Sequence, residues 1–168
     1  MFTTELAERL IGVAKKVLQN NEITDEFEIE QTCPMNIRMK LIPIEESDYS
    51  FLWEISQSAK NIFRFSLHVQ EDESKTGLLR VDYNGNHRNP ETDNGQLPER
   101  FKPYIGKRFI KENHVHYHIE GYNSLVWALP IKDVPEISTQ HITEDNPKAD
   151  FAKIINLKTR IIINAQIL

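Results

Sequence analysis

The sequence predicts an α+β fold, an antiparallel meander sheet with an N-terminal amphipathic helix and a short C-terminal helix. Three observations predict it. The chain opens with apolar residues at helical spacing and then switches to a period of two, and the polar connections between the alternating runs are too short for crossover helices.

From about Thr4 to Gln19, Leu6, Leu10, Val13 and Val17 recur at helical spacing, widened by Ala14 and Leu18. Glu5 and Glu8 lie in the first turn, where acidic groups suit the helix dipole, and Asn20-Asn21 ends the helix. Ile37, Met39 and Leu41 then alternate with Arg38 and Lys40, and Phe51, Trp53 and Ile55 with Leu52 and Glu54. Phe63, Phe65, Leu67 and Val69 alternate with Arg64, Ser66 and His68, and Leu79, Val81 and Tyr83 with Arg80 and Asp82. Each run reads as a strand with one buried and one polar face, which places Trp53, Phe63, Phe65 and Trp127 in one core beneath the first helix. Asn84-Gly85 reads as the end of the fourth run, and His87 to about Asn113 as a long loop broken by Pro90, Pro98 and Pro103. Strand character resumes at His114–Glu120, followed by a turn at Gly121–Ser124 and a strand through Trp127, Leu129 and Ile131. Asn146-Pro147 starts a helix with Phe151, Ile154 and Ile155 on its buried stripe, and Ile161–Ile163 is a strand or an extension of that packing.

A chain of 168 residues with 39% apolar and 27% charged residues has the size and balance of a single globular domain, expected to span residues 1–168. One cysteine, Cys33, excludes an intrachain disulfide and reads as a small buried residue. The acidic N-terminus and the lack of any long apolar run point to a cytoplasmic protein with no membrane partner. A net charge of −5 argues against bulk attraction to nucleic acid, although Arg100, Lys102, Lys107, Arg108 and Lys111 form a local basic stretch.

The candidate site rests on His114, His116 and His118. Alternate positions on a strand share one face, about 7 Å apart, opposite Val115, Tyr117 and Ile119. The three histidines are therefore expected to face solvent, a cleft or the long loop. His87 enters that loop, which makes His87, His114 and His116 the candidate catalytic residues. Arg80, Arg88, Arg108 and Lys111 are the candidate anion-binding residues, and His118, Glu120 and Tyr122 are accessory. Histidines beside basic residues suit metal-independent phosphodiester or phosphate chemistry, in which one imidazole takes a proton and arginine or lysine steadies developing charge. RNA, DNA or a nucleotide is then the partner. The competing readings are a non-catalytic module that docks on a host protein and a metal site. His114-x-His116-x-x-x-Glu120 resembles part of the first motif of cupins, but no second motif follows. No cofactor and no metal are expected, because alternate side chains diverge with strand twist. No Gly-rich phosphate loop, nucleophile elbow or paired-cysteine motif occurs.

Several stretches between Leu78 and Ile131 carry a wider resemblance: Leu79-Arg80-Val81-Asp82-Tyr83, His87-Arg88-Asn89-Pro90-Glu91, His114-Val115-His116, Glu120-Gly121-Tyr122 and Trp127-Ala128-Leu129-Pro130. In this order they are similar to a domain-of-unknown-function family of small bacterial and prophage-type proteins. The resemblance implies a compact α+β protein carried by bacteria or their mobile elements. It also implies that His118, a position often occupied by tyrosine there, matters less than His114 and His116. It implies no activity or ligand.

Overall fold

The computed structural model describes residues 2–45, 47–61, 63–134 and 147–165. A first helix, α1 (Thr4–Gly12), leads into β1 (Lys15–Gln19), β2 (Glu22–Thr24), β3 (Glu26–Gln31), β4 (Met35–Pro43), β5 (Phe51–Gln57), β6 (Phe65–Glu71) and β7 (Gly77–Arg88). A 3-10 turn (Glu99–Tyr104) precedes β8 (Arg108–Tyr117), then come β9 (Trp127–Pro130), α2 (Pro147–Ile154) and β10 (Arg160–Ala165). Eight strands form one antiparallel sheet in the order β2-β1-β4-β5-β6-β7-β8-β9, an uninterrupted meander from β4 onward. β10 pairs with β3 as a separate parallel ribbon. Among the described residues no helix is long and apolar enough to cross a membrane.

α1 begins where Thr3 Oγ1 accepts the Leu6 N–H at 3.0 Å. It ends at Gly12, seven residues earlier than the helical spacing suggests. Gly12 is a weak helix former, and the Lys15 ammonium donates to the Leu10, Ile11 and Val13 carbonyls at 2.8, 2.9 and 2.6 Å, satisfying the helix terminus. Beyond it Lys15 and Val17 alternate inward, so β1 is a strand on the edge of β4. Asn20 and Asn21, with φ of 51° and 64°, form the two-residue turn of the β1–β2 hairpin rather than a helix end.

Register defines the two faces of the sheet. Met39, Trp53, Val69, Leu79, Tyr117 and Trp127 are cross-strand neighbours in one row, and Ile37, Ile55, Leu67, Val81, Val115 and Leu129 in another. Both rows point to the apolar face. Helix α2 covers this face by stacking Phe151 on Trp53 with ring centroids 5.6 Å apart, and the 3-10 turn sets Phe101 against Tyr117 and Trp127. Trp53 and Trp127 are fully buried as expected. Phe65 is only partly buried, stacked on Tyr83 at 4.3 Å, and Phe63 precedes β6 and is 72% exposed. Cys33 is exposed, on the link between β3 and β4, rather than buried. Pro147 opens α2, and Asn146 lies outside the described residues.

The expected loop from His87 to Asn113 is shorter than its polarity implies. β7 continues through Asn84-Gly85 to Arg88, and β8 starts at Arg108. The ladder is irregular between Asp82 and His87, and Asn84 and Lys111 both take φ of 50°. Asparagine side chains substitute for lost ladder bonds there. Asn113 Oδ1 accepts the Asn84 N–H at 2.9 Å, and Asn86 Oδ1 accepts the Lys111 N–H at 2.8 Å. Such bulges break the period of two and bend the hairpin, which is why the alternation was not readable as strand.

Candidate functional site

The polar face of the sheet carries two rows set by the same register. Arg38, Glu54, His68, Arg80 and His116 form one, and Asn36, Ser56, Ser66, Asp82 and His114 the other. At the β4–β6 end the polar face is solvated. Arg38 Nε donates to Glu54 at 2.6 Å with Arg38 mostly exposed, and His68 Nδ1–H donates to the other Glu54 oxygen at 3.1 Å. At the β7–β8 end the bent hairpin folds back over the sheet. The Phe109 and His87 rings come to rest on His114, with centroids 4.7 and 5.8 Å away. Of the expected settings for this face, solvent, a cleft or the segment after His87, solvent does not apply: His114 and His116 are completely buried.

Three candidate histidines meet. The His87 ring centroid is 4.5 Å from His116, and His114 and His116 are 4.9 Å apart. His87 is thus a strand residue whose ring reaches the cluster, not a loop residue. Its Nε2 faces two acceptors, Val126 O at 3.0 Å and Asn89 Oδ1 at 3.1 Å, so Nε2 carries the proton. His116 Nδ1–H donates to Leu125 O at 2.8 Å and His114 Nδ1–H to Glu112 O at 2.7 Å. Both rings consequently present Nε2 to the same oxygen. Asp82 Oδ2 lies 3.1 Å from His116 Nε2 and 3.5 Å from His114 Nε2. Arg80 joins from the neighbouring row, its Nε 3.1 Å from Asp82 Oδ2 and its Nη2 2.9 Å from His116 Nε2.

Burial pushes His116 down to about 4, against the pull of Asp82, so it is neutral at neutral pH. Burial also lowers His87. For Asp82, burial acts to raise the carboxyl, but the Arg80 charge and the Ser66 hydroxyl act the other way. The carboxyl is held well below the usual carboxylate range and is ionised. Asp82 was passed over in the sequence as one more polar-face residue. It is the hub of the cluster, and its alternation with Arg80 was the available signal. Asn89 was read only as part of the segment that begins at His87, with no role for its side chain. Its side chain is buried and pairs with the Ala128 main chain like a strand, Nδ2–H to Ala128 O at 2.8 Å and Oδ1 from Ala128 N–H at 2.9 Å. That bond pins β9 beside the histidines.

The other candidates lie elsewhere. His118 Nε2–H donates to Phe2 O at 3.0 Å, Glu120 N–H donates to Thr4 Oγ1, and the Tyr122 hydroxyl meets Asp93 at 3.1 Å. These three follow the end of β8, where the chain turns toward α1 and the residue-90 loop. Arg88 is exposed and paired with Glu91. Arg108 and Lys111 are exposed on β8, and Arg100, Lys102 and Lys107 are each paired with a carboxylate. Of the four candidate anion-binding residues, Arg80 bonds within the histidine cluster. A groove of about 420 Å³ opens beside the cluster, with Ser56, Ser58, Arg64, Ser66, Arg80 and Asp82 among its lining. Arg64 is exposed and forms no ion pair with the described residues. Asp82, His114 and His116 also bring three metal-ligand atoms within 4.8 Å of one another.

A family model described as a family of unknown function, DUF6978, matches residues 2–157. No curated protein and no solved structure matches the chain.

Proposed function

The chain belongs to the DUF6978 family, and we propose that this member binds a phosphate-bearing ligand, a nucleotide or one nucleotide of a nucleic-acid strand, in the groove beside Asp82. The observation that supports this best is the groove lining itself. Arg64 at the lip makes no ion pair with the described residues, and the hydroxyls of Ser56, Ser58 and Ser66 line the groove with it. The volume suits a nucleotide-sized ligand. Processing follows the same geometry. Arg80, in the groove lining, can steady charge on a phosphoryl oxygen.

The test is fluorescence anisotropy of a labelled short RNA and a labelled short DNA, with a nucleoside diphosphate as competitor, across a salt series. Binding is expected at low salt and to weaken as salt rises. Arg64→Ala is expected to weaken it about tenfold, the worth of one charge-assisted contact. No binding at low salt, or binding indifferent to Arg64→Ala, would refute this reading and leave a protein partner as the better one.

A further inference from the structure

Two buried imidazoles and one carboxylate converge on the inner wall of the groove. Each imidazole is fixed as the tautomer with Nδ1–H on a main-chain carbonyl, so each directs an Nε2 lone pair at Asp82. His114 is 0% exposed, and its Nε2 has no hydrogen-bond partner among the described residues. Main chain closes over it. A Cβ on Gly85 would stand 2.9 Å from His114 Cε1 and 3.0 Å from Asp82 Cβ. Asp82, 17% exposed, is the member of the set that reaches the groove.

We infer that Asp82, His114 and His116 form a binding site for one divalent first-row transition-metal ion, open on the groove side. Carboxylate oxygen with two neutral imidazole nitrogens is the donor set of zinc, iron and manganese sites, and imidazoles disfavour calcium and magnesium. Tetrahedral ligands at about 2.1 Å from an ion stand about 3.4 Å apart; the two nitrogen–oxygen separations here are 3.1 and 3.5 Å, and all three ligand atoms lie within 4.8 Å of one another. The main-chain carbonyls on both Nδ1 atoms supply the outer bonds that orient metal-binding imidazoles.

Arg80 is the competing explanation, since its guanidinium already balances Asp82. It accounts for only part of the cluster. It reaches Asp82 and His116 but leaves the His114 lone pair unmatched, and a plain Asp–Arg pair has no use for a second imidazole aimed at the same oxygen. Arg80 is one-third exposed at the groove floor, so it can withdraw into the groove when an ion takes its place. The ion and the guanidinium then exclude one another, and each metal bound leaves a free arginine facing the groove ligand.

The test uses the full chain stripped with a chelator and titrated with Zn²⁺ alone, read by competition with a chromophoric chelator and by the rise in melting temperature. One equivalent is expected to bind, with a matching rise in Tm. Asp82→Asn and His114→Gln are each expected to weaken binding at least about 100-fold. Arg80→Ala is expected to tighten it roughly tenfold, because a competing cation is gone. Absence of a saturable equivalent in the wild-type chain would overturn the site, as would Asp82→Asn binding like wild type. Should His114→Gln fail to fold, Asp82→Asn and Arg80→Ala decide, and weaker binding in Arg80→Ala would count against the site. Metal binding without nucleotide binding would sink the groove reading alone, and the reverse would sink the metal alone.

Discussion

Lys15 and Asp82 are two charges withdrawn from water on opposite faces of one sheet, and they are held in different ways. Lys15 lies on the apolar face. Its ammonium donates to the Leu10, Ile11, Val13 and Ile155 carbonyls and stands 4.6 Å from the Phe51 ring centroid. Every polar partner is main chain, from α1, the link after it and the residue following α2. Asp82 lies on the polar face among side chains, Arg80, His114, His116 and Ser66, one of which keeps a buried, unpartnered nitrogen. A charge enclosed by backbone ties elements together. A charge enclosed by side chains with spare lone pairs, at the wall of a groove, is equipped to take something up. The same burial that makes Lys15 structural makes Asp82 a candidate for chemistry.

The sharpest way to break this contrast is Lys15→Ala. It leaves a cavity and takes the ammonium donor from four carbonyls, and a loss of about 3 kcal/mol is expected in denaturant unfolding. A loss below about 1 kcal/mol would show that Lys15 is not what joins α1 to α2. Asp82→Asn should cost less, about 1 kcal/mol by the same measurement, since shape is kept and the partly exposed Arg80 can return to water. If Asp82→Asn cost more than Lys15→Ala, the polar cluster would be the structural keystone, and the distinction drawn between the faces would fail.

The smallest expected effect is on pH dependence. Burial pushes Lys15 down to about 7, well below the unfolded value of 10.5. Between about 7 and 10.5 the unfolded chain therefore binds more protons than the folded one, and stability contributed by this group rises with pH across that window. Below about 7 both states are protonated and the group adds no slope. The carbonyls around the ammonium make the rise smaller than burial alone would give. Lys148, also lowered by burial, adds a slope of the same sign, so the quantity to measure is the difference between wild type and Lys15→Met from pH 7 to 9.5. A steeper rise in the variant than in the wild type would contradict this placement of Lys15.

Much of the fold was written in local pattern. Periods of two across residues 37–41, 51–55, 63–69 and 79–83 gave the middle of β4, most of β5 and β6 and part of β7, and Pro147 with Phe151 gave α2. Pattern failed where a residue's environment comes from elsewhere in the chain. Helical spacing ran on past Gly12 because Val13 and Val17 fit both periods, and only pairing with β4 and the Lys15 bonds favour the strand. β7 and β8 ran on unseen because bulges at Asn84, Gly85 and Lys111 broke the alternation.

The candidate site divides along the same line. Residue types and spacing alone determined that His114 and His116 share a strand face, because side-chain direction on a strand is local geometry. Tertiary structure decided that this face is buried, that His87 joins it while His118 leaves, and that Asp82 is the oxygen both rings address. Those outcomes depend on the antiparallel register that sets Asp82 opposite His114 and Arg80 opposite His116, and on a hairpin bent back over its own sheet. Register between strands is a long-range choice, made by the whole buried face at once, so no single stretch of sequence states it.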